Sequence, residues 1–194
     1  MARASRAQAE SHRREIVEVA AARVRERGVD ALTVPETMAA AGLTHGGFYR
    51  HFSSKSDLVV QACAAAYAEK IRDMEEIRAQ SPDGPSARAT FIERYLSTVH
   101  RDHPGQGCGI AATAGDAARA EPGGPLRGAY LDGLGTMVAK LAEFEADTGS
   151  GDSEALLEVT LMAGALMLAR AGADDADLSE RILRTAKEFL LRER

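Results

Sequence analysis

"ALTVPETMAAAGLTHGGFYRHFSSKSDL", residues 31–58, decides how the other residues of this 194-residue chain are read. Two short helical stretches are joined by Ala41-Gly42-Leu43-Thr44, and the second carries two glycines among His45, Phe48, Tyr49, Arg50 and His51. In "TVPE" Thr33 opens the first stretch, and Glu36 stands where a capping-box glutamate reaches back to its cap. Pro35 suits that first turn, where its missing N–H has no partner to lose. Thr44 caps the second stretch, about residues 45–52. "SKSD" at 54–57 opens a long fourth helix reaching about residue 79.

The second stretch sorts itself by spacing. Phe48 and Phe52 are four apart and should enter a small core, while His45 with Tyr49, and Gly46 with Arg50, share the other face. Each glycine costs a helix about 1 kcal/mol, so their presence needs a reason. A short helix after a tight turn is the second element of a helix-turn-helix, which lies in the DNA major groove. Glycines then allow close approach to the duplex. Base contacts are expected from His45, Gly46, Gly47 and Arg50. Phosphate contacts are expected from Thr33, Thr44, Tyr49, His51 and Lys55, joined by N–H groups at the start of the fourth helix.

Upstream, a helix over about 12–27 places Ile16, Ala20 and Val24 on one stripe, and Gly28 stops it. The basic start "MARASRAQAESHRR" sets Arg3, Arg6, Arg13 and Arg14 against Glu10. It reads either as an arm for the minor groove or phosphates, or as a frayed terminus. Downstream, helical period predicts further helices near 86–100, 110–119, 126–147, 154–171 and 178–192, with breaks rich in Gly, Pro and Asp. Strand-like alternation is missing. The expectation is an all-α fold of about nine helices, with a three-helix head at 1–55 and a helical body at 56–194.

Composition narrows the function. The longest apolar run, 161–169, has nine residues, too few to cross a bilayer, so no membrane partner is expected. No apolar segment follows the basic start, which argues against a secretory signal. Two cysteines, Cys63 and Cys108, make neither a disulfide framework nor a metal set and fit a reducing cytoplasm. Net charge is −5, yet residues 1–60 hold nine Lys/Arg against seven Asp/Glu and three of the five histidines. A mildly basic head on an acidic body suits contact with phosphate at one end. No nucleophile triad, paired carboxylates, phosphate-cradling glycine loop or metal cluster stands out, so neither an enzyme nor a cofactor is expected. His100 and His103 in "HRDH" read as a solvated turn beside Pro104 rather than a metal pair. A module that binds only protein is the remaining rival, and the His45/Tyr49/Arg50 face counts against it.

Through Thr33, Ala41, Gly42, Gly46, Phe48, Tyr49, His51, Phe52 and Lys55, the segment of about 12–60 resembles the DNA-binding head of the TetR family of bacterial repressors. Thr37 and Met38 replace the family's usual apolar residue and alanine. Thr37 should still pack, returning its hydroxyl to a backbone carbonyl. Pro35 stands where relatives often carry a polar residue, which moves base readout toward His45 and Arg50. The resemblance implies a regulator, most simply a repressor, that binds a palindromic operator in double-stranded DNA as a homodimer and is released by a small molecule or an electrophile. The last two helices are the dimer candidates, because "LLEVTLMAGALMLARA" is apolar nearly all round and Gly164 and Ala165 allow close approach. Phe91, Tyr95, Met137, Phe144, Met162 and Met167 are candidates to line an effector pocket. Cys108 joins them as a possible sensor thiol, lying between glycines just before a helix whose dipole would lower its pKa and whose loop would admit reagents. Cys63, on the fourth helix, should be inert. That helix is expected to be the only rigid link between head and body.

Overall fold

The computed structural model describes residues 2–144 and 151–192, with side chains described from Arg6 onward. Its elements are α1 (Ala2–Arg27), α2 (Val34–Ala40), a 3-10 helix (His45–Arg50), α3 (Lys55–Gln80), α4 (Gly84–Tyr95), α5 (Thr98–Asp102), a 3-10 turn (Pro104–Gln106), α6 (Gly109–Arg119), α7 (Pro125–Phe144), α8 (Asp152–Ala171) and α9 (Ala176–Leu190). Among the described residues there is no strand, and the all-α expectation holds.

The head is built as its stripe implied. Ile16, Ala20 and Val24 of α1 are buried with Leu32, Met38, Phe48, Phe52 and Leu58. Gly42 has φ +70 and ends α2. Its N–H donates to Ala39 O (3.0 Å) and that of Leu43 to Met38 O (2.9 Å), the paired bonds of a helix C-terminus that turns through a left-handed residue. Thr37 is buried and its hydroxyl donates to Thr33 O at 2.7 Å. The Thr33 capping box does not form. Thr33 makes no side-chain cap bond, and Glu36 instead pairs with Arg23 of α1 at 3.3 Å. A charged partner on the neighbouring helix competes for that carboxylate and wins. At α3 the cap does form: Ser54 Oγ accepts the Asp57 N–H at 3.0 Å, and Asp57 accepts the Ser53 N–H at 2.9 Å.

The structure changes one of the expected elements and gives the basic start a helical form. The basic start is no separate arm, because α1 runs from Ala2; Arg3's side chain lies outside the described residues. The helix expected over 86–100 is two helices. Leu96 ends α4, and Ser97 Oγ accepts the His100 N–H at 3.1 Å to start α5. A serine that can cap offers the backbone an alternative to continuing. The end of the helix expected to reach 147 lies outside the described residues beyond Phe144.

In the body, α3 packs against α7, α7 against α8, and α8 against α9. Phe91, Tyr95, Met137, Leu141, Phe144, Met162 and Leu166 are buried between them. Arg88 of α4 pairs with the buried Glu158 of α8 and donates to Leu190 O of α9 at 3.0 Å, joining three helices. No helix of the described residues is long and apolar enough to cross a membrane.

Candidate nucleic-acid interface

The segment after the α2 turn is a 3-10 helix rather than an α-helix. Gly47 N–H donates to Thr44 O (3.0 Å) and His51 N–H to Phe48 O (2.9 Å). Glycines weaken the α-form, and a six-residue segment has few α-type bonds to lose. The tighter pitch changes the exposed face. With three residues per turn, Gly46 lines up with Tyr49 and Gly47 with Arg50, instead of the i, i+4 pairs that α-spacing predicts. The inward side is as expected: Phe48 and Phe52 are buried and stack with ring centroids 5.5 Å apart.

His45, Gly46, Tyr49 and Arg50 are exposed, and Gly47 partly so. Tyr49 is 75% exposed, the most of the large hydrophobic side chains among the described residues. A Cβ at Gly46 would meet nothing, and one at Gly47 only Met38 Cε at 3.7 Å. Neither has positive φ, so the fold of the free protein does not demand glycine at either place. Thr33, Thr44 and Lys55 are also exposed. His51 is half-buried, and its pKa is lowered first by burial and then by His12, Arg13 and Arg50. Its imidazole is therefore neutral near pH 7 and offers a hydrogen bond rather than a charge.

Arg13, part of the basic start that reads either as a DNA-contacting arm or as a frayed terminus, turns inward. Its guanidinium donates to His51 O (2.6 Å) and Gln61 Oε1 (2.7 Å) and lies over the Phe52 ring at 5.1 Å. It fixes the recognition segment onto α1 and α3. Sequence spacing had no signal for this, since its partners lie 38 and 48 residues away. Arg6 and Arg14 remain exposed on α1.

The body residues named for an effector are brought together in part. The Phe91 ring meets Tyr95 at a tilt and Phe144 edge-on, with centroids 5.7 and 6.4 Å away. Phe91 and Tyr95 also border a cleft of about 590 Å³ between α3 and α4–α5, whose rim carries Lys70, Glu76, Arg94 and His103. Met137, Phe144 and Met162 sit in the core, whereas Met167 is 44% exposed on α8 and lines no interior space. Cys108 corrects the expectation of an accessible loop thiol. It is fully buried at the N-terminus of α6, with Tyr95 and Tyr130 beside its thiol. Cys63 is also buried, and burial raises its thiol to about 11.

The reading of "HRDH" as a solvated turn fails for His100. Its Nδ1–H donates to Tyr95 O at 2.7 Å, and its Nε2 accepts the Cys108 N–H at 3.0 Å. Burial lowers its pKa to about 4, so it is a neutral bridge from the end of α4 to the start of α6. His103 is exposed, with Nδ1 2.9 Å from Val99 O.

On the far side of the body, α8 and α9 expose Leu157, Leu168 and Phe189 along a shallow apolar groove. Gly164 lies in it with nothing within 4 Å of its Cβ position.

Residues 16–62 match the family described as bacterial regulatory proteins, tetR family. A transcriptional repressor of Mycobacterium tuberculosis, KstR2, is 44% identical over 52 residues, 27% of this chain and 26% of that protein. The transcriptional regulator AcrR of Shigella flexneri is 34% identical over 102 residues. That match takes in 51% of this chain and about half, 47%, of AcrR. Among solved structures, a TetR transcriptional regulator of Chloroflexus aurantiacus superposes with a TM-score of 0.76 at 24% identity, covering 96% of this chain and 97% of the other. Reduced E. coli NemR superposes equally well, 0.76, at 17% identity over 93% and 95% of the two chains. These likenesses extend the fold over the whole chain.

Proposed function

We propose that this chain, a member of the TetR family of bacterial transcriptional regulators, binds a palindromic operator as a homodimer and leaves it when a small molecule enters the body. One observation carries the reading: Phe48 and Phe52 are buried while His45, Gly46, Tyr49 and Arg50 stand exposed around them. A helix-turn-helix head is thereby left with a polar, glycine-relieved face that no other element among the described residues covers. Arg50 and His45 are assigned to base edges, with Gly46 and Gly47 permitting close approach. Thr33, Thr44, Tyr49, His51 and Lys55 are assigned to phosphates. Residues 1–55 form the reading head and 56–194 the sensing and pairing body.

A two-fold pair suits the reading, since a six-residue recognition helix reads few bases and a second copy doubles the contact. The exposed apolar face of α8 and α9 is the surface assigned to that pairing. Phe91 and Tyr95 mark the favoured side of the body for the effector, because an open cleft reaches them. A reversibly bound molecule is favoured over an electrophile, since the Cys108 thiol is sealed from solvent. Repression rather than activation rests on the likeness to KstR2.

The test is binding to DNA flanking the protein's own gene, followed by fluorescence anisotropy, with size-exclusion light scattering on the same sample. A sequence-preferring complex of two chains per site is expected. A monomer at micromolar concentration, or binding without base preference, would overturn the reading.

A further inference from the structure

We infer that Asp116, on α6 of the body, is a positioning residue for the DNA head and sets the half-site spacing that the dimer accepts; the inference rests on the reading just given. α3 is not the only rigid connection. The end of α1 is gripped at two points by the segment that contains α6. Arg25, buried at 7% exposure, donates to Gly105 O at 2.6 Å just before α6 and pairs with Glu69 of α3 at 2.7 Å. Just past the end of α1, Asp116 Oδ2 accepts the Val29 N–H at 3.2 Å.

The local backbone is shaped around that second contact. Gly28 has φ +79, and a Cβ there would lie 3.3 Å from Asp116 Oδ2. A left-handed glycine therefore both ends α1 and lets the carboxylate reach the next N–H. Arg119, one turn along α6, steadies the same carboxylate at 3.0 Å. Asp116 itself is little exposed, at 13%.

α6 is in turn fastened to the body at both ends. Cys108 N–H donates to His100 Nε2. Arg127 of α7 donates to the carbonyls of Ala117 (3.2 Å), Ala118 (2.8 Å) and Ala120 (2.7 Å). A body helix held this firmly, whose carboxylate holds the turn between α1 and α2, fixes how the recognition segment is carried relative to the α8–α9 face. In a dimer that angle becomes the distance between two recognition segments, which must match the repeat of the groove. α1 packs along α3 as well, and the contacts from the α6 segment add a second, separate hold on the end of α1.

The experiment uses the full-length protein and selection from a random duplex library, followed by affinities for the selected palindrome with its centre lengthened or shortened by one base pair. Wild type should select one spacing. Asp116→Ala, and Asp116→Leu, which keeps a bulky side chain but has no acceptor, should lose about tenfold at that spacing. Both should change less than twofold at the altered spacings, so that the preference flattens. Asp116→Asn keeps an acceptor oxygen and should retain the wild-type preference. A sharp, unchanged spacing in folded Asp116→Ala or Asp116→Leu would overturn the inference. So would failure of both to fold while Asp116→Asn behaves as wild type, which would leave Asp116 a structural role only. If wild type itself selects no palindrome, the DNA-binding reading fails, a result distinct from either.

Discussion

Two faces of this molecule are left without an internal partner among the described residues, and they differ in nearly every chemical respect. The recognition segment exposes an arginine, a histidine and a tyrosine around Gly46; the α8–α9 face exposes leucines and a phenylalanine around Gly164. In both places a glycine stands with open space at its Cβ position. In neither does the fold of the single chain require it. What differs is the partner each surface can satisfy. Donors and a cation suit a polyanion whose affinity depends on salt. A flat apolar stripe suits another apolar stripe, and its own copy is always present at matching concentration. The buried residues of the two regions are alike; their exposed residues say what each region is for.

The largest expected effect is on the apolar face. Leu168→Glu combined with Phe189→Glu would bury carboxylates against carboxylates across the two-fold axis. The dimer should weaken by about 4 kcal/mol or more, and operator affinity should collapse with it. Analytical ultracentrifugation checks this. A dimer of wild-type strength would move the pairing surface elsewhere.

Next comes Arg50→Ala, expected to cost about 1–3 kcal/mol per half-site and to relax base preference at one position. A uniform loss over all sequences would reassign Arg50 to phosphate. The dimer constant should not move in this variant, which keeps the two faces separable.

Gly46→Ala and Gly47→Ala sharpen the comparison at a smaller scale. In the free protein both methyl groups find room, so the thermal midpoint should hold or rise slightly, by up to about 1 kcal/mol in stability. DNA affinity should fall by about 1–2 kcal/mol through lost close contact. Unchanged affinity would mean that the glycines serve no approach to DNA.

Lys55→Ala should produce the smallest change, a salt dependence flattened by about one unit per half-site, equal for all sequences. His51→Gln should leave that slope intact at pH 7–8. Burial and the neighbouring cations lower the imidazole's pKa from its ordinary 6.5, so the ring is neutral across this range in the free protein. A slope change in His51→Gln would show that DNA binding draws a proton onto the ring.

Much of the head was legible because its signals are local. The Ile16/Ala20/Val24 stripe, the Gly42 turn, the buried Phe48 and Phe52 and the Thr37 hydroxyl each depend on neighbours within a turn or two, and the structure bears out each one. The capping box at Thr33 was equally local and still failed, since Arg23 from another helix captured Glu36. The face of the recognition segment was legible in composition but not in pitch, because α and 3-10 forms of six residues differ by little energy.

The sequence by itself therefore determined the helical class, the order of most elements, and a head whose exposed groups suit DNA. Periodicity and capping are properties of short stretches, readable without knowing what packs on them. Only the tertiary structure decided that Cys108 is sealed in, that His100 is a neutral bridge, that Arg13 braces the recognition segment and that Asp116 holds the end of α1. Each of these depends on which distant surfaces meet. Asp116 and Val29 lie 87 residues apart, and no pattern in either stretch foretells the other. Burial and pairing are set by the packing of whole helices, and that packing follows from the summed fit of many side chains rather than from any one segment.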